Sequence, residues 1–198
     1  IIPHVEEWER EGIVPRWAWK RLGENGFLCT SVPVEYGGQG ADFLYSAILI
    51  EEMARANFYG LSARLHSDVV VPYVVQFATE QQKKKYLPKC VSGEIIMAIA
   101  MTEPHAGSDV AGIKATAVED GKYFVLNGQK TFISNGINCD LVIVAARDPE
   151  EKNPHAAVDL FLVEADTPGF EKGKMLKKIG WRSQDTAELY FTDCRVPK

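Results

Sequence analysis

Ile95-Ile96-Met97-Ala98-Ile99-Ala100-Met101-Thr102-Glu103-Pro104-His105-Ala106-Gly107-Ser108-Asp109 is the stretch at which the chain changes character. An apolar run of strand length stops at Thr102-Glu103-Pro104, and a loop of small residues follows. Upstream the signals are helical. Downstream, short apolar segments are separated by Asp120-Gly121, Asn127-Gly128, Asn135-Gly136 and proline-containing loops. Asn-Gly and Asp-Gly favour tight hairpins because these residues tolerate the positive φ such turns require. Seven strand-length segments result, at 95–101, 113–118, 123–126, 131–134, 141–146, 160–163 and 188–191. Their spacing predicts a small antiparallel barrel or sandwich. The expected fold class is α+β, with an all-α helical domain over residues 1–96 and a β-barrel domain over 97–198.

Working back toward the N-terminus, residues 4–26 read as helical with an interruption at Pro15, and Gly23 and Gly26 mark the end. The glycine-rich segment 34–42 can be read as an anion cradle of free N–H groups. It lacks the glycine order of the known phosphate loops and follows no convincing strand, so a turn into the next helix is the preferred reading. Asp42 is the expected N-cap of a helix over Phe43–Asn57. The apolar positions of that helix spread widely around it, which predicts a well-buried element. Its Glu51-Glu52 pair reads as solvent-facing, not as acid and base. Residues 61–78 predict a helix kinked at Pro72. Thr79-Glu80-Gln81-Gln82 is a capping box that starts another helix. Lys83-Lys84-Lys85 reads as a solvated face, and Pro88 and Gly93 are expected to end the helical half. His66 has no partner at metal-ligand spacing and reads as a satisfied core or interface residue.

Of the 198 residues 46% are hydrophobic and 25% charged, a globular composition. A net charge of −5 offers no electrostatic case for nucleic acid or an anionic membrane. Cys29, Cys90, Cys139 and Cys194 are widely spaced, which argues against a zinc site or disulfide framework and suits a reducing compartment. No segment approaches the ~20 apolar residues of a transmembrane helix. The chain starts mid-pattern without a Met or a signal peptide and stops in what reads as a linker, so it reads as a fragment.

The loop after Met101 and the segment Lys130-Thr131-Phe132-Ile133-Ser134-Asn135-Gly136 also suggest a ligand site. Backbone N–H groups and hydroxyls on small residues can approach a planar, electron-accepting molecule, while an aromatic ring covers its face.

Two phrases carry a family resemblance: Met101 to Asp109, and Asn127-Gly128-Gln129-Lys130-Thr131-Phe132-Ile133-Ser134-Asn135-Gly136. Together they resemble the flavin-site signature of the acyl-CoA dehydrogenases and are most similar to the long-chain branch. The resemblance extends from about Trp17 to Pro197. It implies FAD as cofactor and an acyl-CoA of medium to long chain as substrate. The reaction implied is α,β-dehydrogenation to a trans-2-enoyl-CoA in fatty-acid β-oxidation. Hydride passes to flavin N5, since no side chain accepts a hydride. An electron-transferring flavoprotein as acceptor, a homotetramer when full length, and a bacterial cytoplasmic or mitochondrial matrix location are also implied.

Position by position, the resemblance implies that Ile99, Ala100, Met101 and Thr102 line the isoalloxazine, with the Thr102 hydroxyl near its pyrimidine side. Gly107 allows close backbone approach, and Ser108 sits where flavin and thioester meet. Phe132, Ile133 and Ser134 complete the flavin set; Phe132 covers the ring away from substrate and Ser134 bonds near N5. His155 and Ala156 lie where relatives touch the CoA part. The family's catalytic glutamate belongs to a C-terminal helical domain, so no residue here is assigned as catalytic and this fragment alone is expected to be inactive. Singly these residues have plainer readings: Thr102 and Ser134 can end strands, Phe132 can be core, and Gly107 can serve a turn. Their joint order favours the flavin site. His105 stands where the family usually has Gly and would carry strain if its φ were positive. Phe132 replaces the Trp of several branches. The rival readings are an acyl-CoA oxidase or related flavin monooxygenase, and a non-enzymatic helical and β interaction module.

Overall fold

Proline and glycine placement sets the helices of the first half in the computed structural model, which describes residues 1–58 and 60–198. Helix α1 (Val5–Glu11) stops at Gly12, whose φ of 79° is left-handed, and α2 (Arg16–Glu24) starts after an extended Pro15. Helix α3 (Phe43–Arg55) is capped as expected, Asp42 Oδ1 accepting the Leu44 N–H at 2.9 Å. Its burial is not as expected. Phe43, Leu44, Tyr45, Ile48 and Ile50 are all exposed, and Ser46 is its buried residue. Apolar spacing states which positions prefer burial; only neighbouring elements can supply it.

Ahead of Pro72 the chain takes a π-helical turn, Leu65–Val70, and continues as α4 (Val71–Phe77). Proline has no N–H and crowds the carbonyl four residues back, so a wider turn before it replaces the simple kink. Helix α5 (Glu80–Ser92) has its complete capping box, with Gln82 N–H donating to Thr79 Oγ1 at 3.3 Å and Thr79 N–H to Gln82 Oε1 at 2.9 Å. It runs through Pro88 and ends at Gly93, φ 75°, so Pro88 does not stop it.

Residues 34–42 form a turn whose donors are used within the chain. Gly40 N–H and Ala41 N–H donate to the carbonyls of Val32 and Thr30, each at 2.9 Å. His66 is fully buried, its Nδ1 accepting the Met97 N–H at 3.0 Å and its Nε2 lying 3.1 Å from the Cys90 carbonyl. That pairing puts the ring proton on Nε2. All four cysteines are buried and reduced, and burial pushes the Cys29 thiol up to about 12.

These helices belong to a compact unit, Ile1–Met97 together with Lys177–Asp185. The second segment lies among strand residues in sequence. Glu9 holds it, accepting the N–H groups of Arg182 and Ser183 at 2.9 and 3.1 Å and the Ser183 hydroxyl.

The other unit, Ala98–Leu176 with Thr186–Lys198, carries the sheet. Its strands are β1 (Met97–Ala100), β2 (Thr116–Asp120), β3 (Tyr123–Ser134), β4 (Leu141–Arg147), β5 (Val158–Glu164), β6 (Phe170–Met175) and β7 (Thr186–Pro197). They lie in the order β1-β4-β2-β3-β7-β6, with β5 paired to β4 off this path. The β2–β3, β3–β7, β4–β5 and β6–β7 pairs are antiparallel, while Thr116 of β2 lies parallel to Arg147 of β4. The expected barrel or sandwich is thus one curled, mixed sheet.

Asp120-Gly121 does make the β2–β3 hairpin, with Asp120 opposite Tyr123. Asn127-Gly128 does not make a turn: the segments at 123–126 and 131–134 are one strand, β3, running through it. There the register shifts, Asp193 on β7 takes a φ of 48°, and the Asn127 side chain pairs with Asp193 at 3.2 Å. The positive-φ signal is therefore used by a β-bulge. Strand β6 was not expected, because Phe-Glu-Lys-Gly-Lys-Met has no apolar alternation. Strand β4 is buried on both faces from Leu141 to Ala146, which explains its unbroken apolar run.

Candidate functional site

The loop that follows β1 is built around one buried carboxylate. Glu103 and Ala106 exchange backbone bonds, Glu103 N–H to Ala106 O at 2.9 Å and Ala106 N–H to Glu103 O at 3.2 Å, closing a tight turn over Pro104 and His105. His105 keeps a negative φ, so the strain expected there is absent. Ala106 and Ile113 pack with Ala145 of β4, seating the loop on that strand, with Met101 and Val110 beside them. The Glu103 carboxylate accepts the N–H groups of Lys114 and Ala115 at 2.6 and 2.9 Å and the Lys130 ammonium at 2.8 Å.

Lys130 is fully buried, and its second partner is the Met101 carbonyl at 3.0 Å. Burial works to raise the Glu103 pKa, but Lys130 and the two backbone donors together hold it below the ordinary carboxylate value. Burial lowers that of Lys130, partly offset by Glu103. The two directions pull apart, Glu103 toward its charged form and Lys130 away from it; the three short donor contacts on Glu103 favour the ion pair.

One residue further along each strand, the Thr131 N–H donates to the Thr102 carbonyl at 2.9 Å. At this level β3 bulges. Lys130 faces Leu189 and Ile133 faces Ala187, so Thr131 and Phe132 together oppose Glu188. Phe132 takes a φ of 58°, left-handed and strained for a bulky residue. The result is that Lys130, Thr131 and Ile133 are buried while the Phe132 ring is 66% exposed. Strand β6 bulges opposite the same Glu188, between Lys172 and Met175. The Phe132 ring is exposed, while Thr102, bonded through its carbonyl to the adjacent Thr131, and Ser134, two residues further along β3, are half-buried.

Of the residues singled out by sequence, the chain brings Met101 and Thr102 to β3 at Lys130 and Thr131. Ile99 and Ala100 lie on β1, Ala100 buried and Ile99 half-buried. Gly107 and Ser108 are exposed, and a Cβ added at Gly107 would meet nothing within 4 Å. His155 and Ala156 lie on the β4–β5 loop, their N–H groups bonded to Asn153. Among the described residues no hydrogen bond or ion pair joins them to Thr102 or Phe132. No local signal marks the burial of Lys130: simple alternation would put it on the face of Phe132, and the bulge between them separates the two. Among the described residues no group of His, Cys, Asp or Glu could hold a metal ion, and no helix is long and apolar enough to cross a membrane.

Comparison with known proteins agrees with this organisation. Residues 1–94 match the model of the acyl-CoA dehydrogenase N-terminal domain, and residues 98–194 match that of its middle domain. The long-chain specific acyl-CoA dehydrogenase of Sus scrofa mitochondria is 46% identical over all of this chain, which covers 46% of that protein. The crystal structure of an acyl-CoA dehydrogenase from Geobacillus kaustophilus is 54% identical with a TM-score of 0.96, over 98% of this chain and 52% of that one. An acyl-CoA dehydrogenase from Bacillus anthracis complexed with FAD is 36% identical with a TM-score of 0.89, over 99% of this chain and 33% of that one. The chain thus spans about half the length of the curated relatives it matches. With a helical unit and a sheet unit matched in order, and with the loop and the bulged strand in place, the chain belongs to the acyl-CoA dehydrogenase family.

Proposed function

We propose that this chain forms the flavin-binding part of an FAD-dependent acyl-CoA dehydrogenase acting on a medium- to long-chain acyl thioester. The observation that carries the reading is the β3 bulge. It holds Phe132 in a strained conformation with its ring in solvent, two residues before Ser134 on β3, where the fold alone gains nothing from it. Strain of this kind is maintained where it serves a site.

The residues present fit a planar cofactor. Phe132 offers a flat apolar face, Thr102 and Ser134 offer hydroxyl donors, and Gly107 leaves room for close backbone approach. A bound flavin would supply the hydride acceptor that no side chain provides. The chain's own tasks are then to bind and orient. Ile99, Ala100, Met101 and Thr102 are assigned to one side and Phe132, Ile133 and Ser134 to the other, Ala100 and Ile133 through their backbone because their side chains lie in the core. Ser108 stands at the thioester end. His155 and Ala156, on an exposed loop, are assigned to the CoA portion. Donors placed around the ring oppose the negative charge that builds there during reduction.

Glu103 is engaged by three donors and does not serve as the base. Proton abstraction is assigned to residues outside this chain, which spans half of its relatives. An electron-transferring flavoprotein is the proposed acceptor and a homotetramer the proposed assembly. The test is to purify the full-length protein, record its flavin absorption and follow its anaerobic bleaching by a long-chain acyl-CoA with enoyl-CoA formation. Absence of flavin binding would end this reading. Rapid peroxide formation in air would transfer it to an oxidase.

A further inference from the structure

We infer that Lys130 is a positioning residue that aims the Thr102 backbone N–H toward the flavin, and that Glu103 holds Lys130 in place. The inference rests on the flavin reading above. A peptide group is planar and trans, so its C=O and N–H point in opposite directions. The Met101 carbonyl and the Thr102 N–H belong to one such group. Lys130 Nζ draws that carbonyl inward at 3.0 Å, and the N–H on the other side must then face away. Among the described residues the Thr102 N–H donates to no group of the chain. The following carbonyl, that of Thr102, is fixed by Thr131 N–H at 2.9 Å. Both ends of the residue are therefore set by β3, and its hydroxyl and N–H remain for a ligand.

The fold alone does not account for this lysine. Its side chain is fully buried, and that of Glu103 is 2% exposed. Replacing such a buried pair with apolar groups of similar volume is often neutral or stabilising. An apolar residue would also fill the space on β3. What it could not do is hold the Met101 carbonyl. Glu103 is itself anchored by Lys114 and Ala115, at the far end of the loop, so the ammonium is steered by a group that cannot swing away.

Removing one partner alone would strand a buried charge, so the decisive variant is the double Lys130→Met/Glu103→Gln in the full-length protein. There the amide oxygen still accepts one backbone N–H, its NH2 faces the other, and the methionine fills the lysine's space. The apo-protein is expected to fold with a lower urea midpoint than wild type and with faster hydrogen exchange at Thr131 N–H. FAD is expected to bind about tenfold more weakly or worse. Glu103→Gln alone removes the counter-charge but keeps an amide oxygen that accepts from Lys130, so it is expected to be less stable than the double variant while keeping FAD affinity within about threefold of wild type.

The inference is overturned if the double variant binds FAD within about twofold of wild type. It is also overturned if Glu103→Gln loses as much FAD as the double, which would assign the effect to charge. A double variant that fails to fold beside a folded Glu103→Gln counts against it too, because the pair would then serve the fold. Failure of wild-type apo-protein to bind FAD would instead remove the flavin reading itself.

Discussion

Gly107 and Gly128 ask opposite things of the molecule. A Cβ at Gly128, φ 151°, would lie 2.6 Å from the Ala115 Cβ, so the chain itself requires glycine there. Gly128→Ala should destabilise the protein by about 2 kcal/mol or more, read from urea unfolding. At Gly107 the space is open. Gly107→Ala should leave stability within about 0.5 kcal/mol of wild type yet weaken FAD or thioester binding, measured by titration. Equal binding would make that glycine a plain turn residue. Ser134 is tested in the same way. Ser134→Ala should cost about 1 kcal/mol or less of stability. If the hydroxyl supports the flavin near N5, the substitution should also lower the flavin potential and slow anaerobic reduction, with substrate binding nearly constant. An unchanged potential and rate would return Ser134 to the end of a strand.

Among the elements, α5 has its stop and start written locally. Thr79 and Gln82 satisfy each other's backbone donors, and Gly93 closes the helix in a left-handed turn. Thr79→Ala should destabilise the helical unit by about 1 kcal/mol, visible in helical signal on denaturation. Strand β3 is the contrary case. Its Asn127-Gly128 dipeptide has the composition of a hairpin, yet the partner strand β7 runs past it and absorbs the extra residue at Asp193. Local preference for positive φ was legible; whether a turn or a bulge would use it depended on a strand some sixty residues away. The same holds for Phe132, whose ring could be placed in the core or in solvent until β7 fixed the register. Helix α3 shows the limit of periodicity, since Phe43, Leu44, Tyr45, Ile48 and Ile50 stay exposed and only Ala47, Leu49 and Met53 are partly covered.

For the molecule as a whole, acid is the informative perturbation. Each unit contains a carboxylate held below its ordinary value of 4.5: Glu103 by Lys130 and two backbone N–H groups, Glu9 by Ser183 and Arg182, both against the upward push of burial. A carboxylate whose folded pKa is depressed adds stability above its unfolded pKa, and that stability is lost as pH falls through the folded one. Burial pushes Lys130 below its ordinary 10.5, with Glu103 opposing the shift. Urea midpoints should therefore be flat from neutrality to about pH 5 and fall below it. Glu103→Gln should flatten that fall, and an unchanged acid slope would refute its part. By itself the sequence determined most element types, though not β6 or the unity of β3, together with the helix caps, the order of helical half before β half, and the two phrases that resemble a flavin signature. Those depend on dihedral preference, capping chemistry and spacing, which act within a few residues. Tertiary structure alone decided the bulge that turns Phe132 outward, the burial of Lys130 against Glu103 and Met101, the exposure of α3, and the place of Lys177–Asp185 with the helices. Each of those depends on which distant group arrives to pair or to cover, and a backbone carbonyl or carboxylate that accepts such a partner leaves no mark in the local sequence.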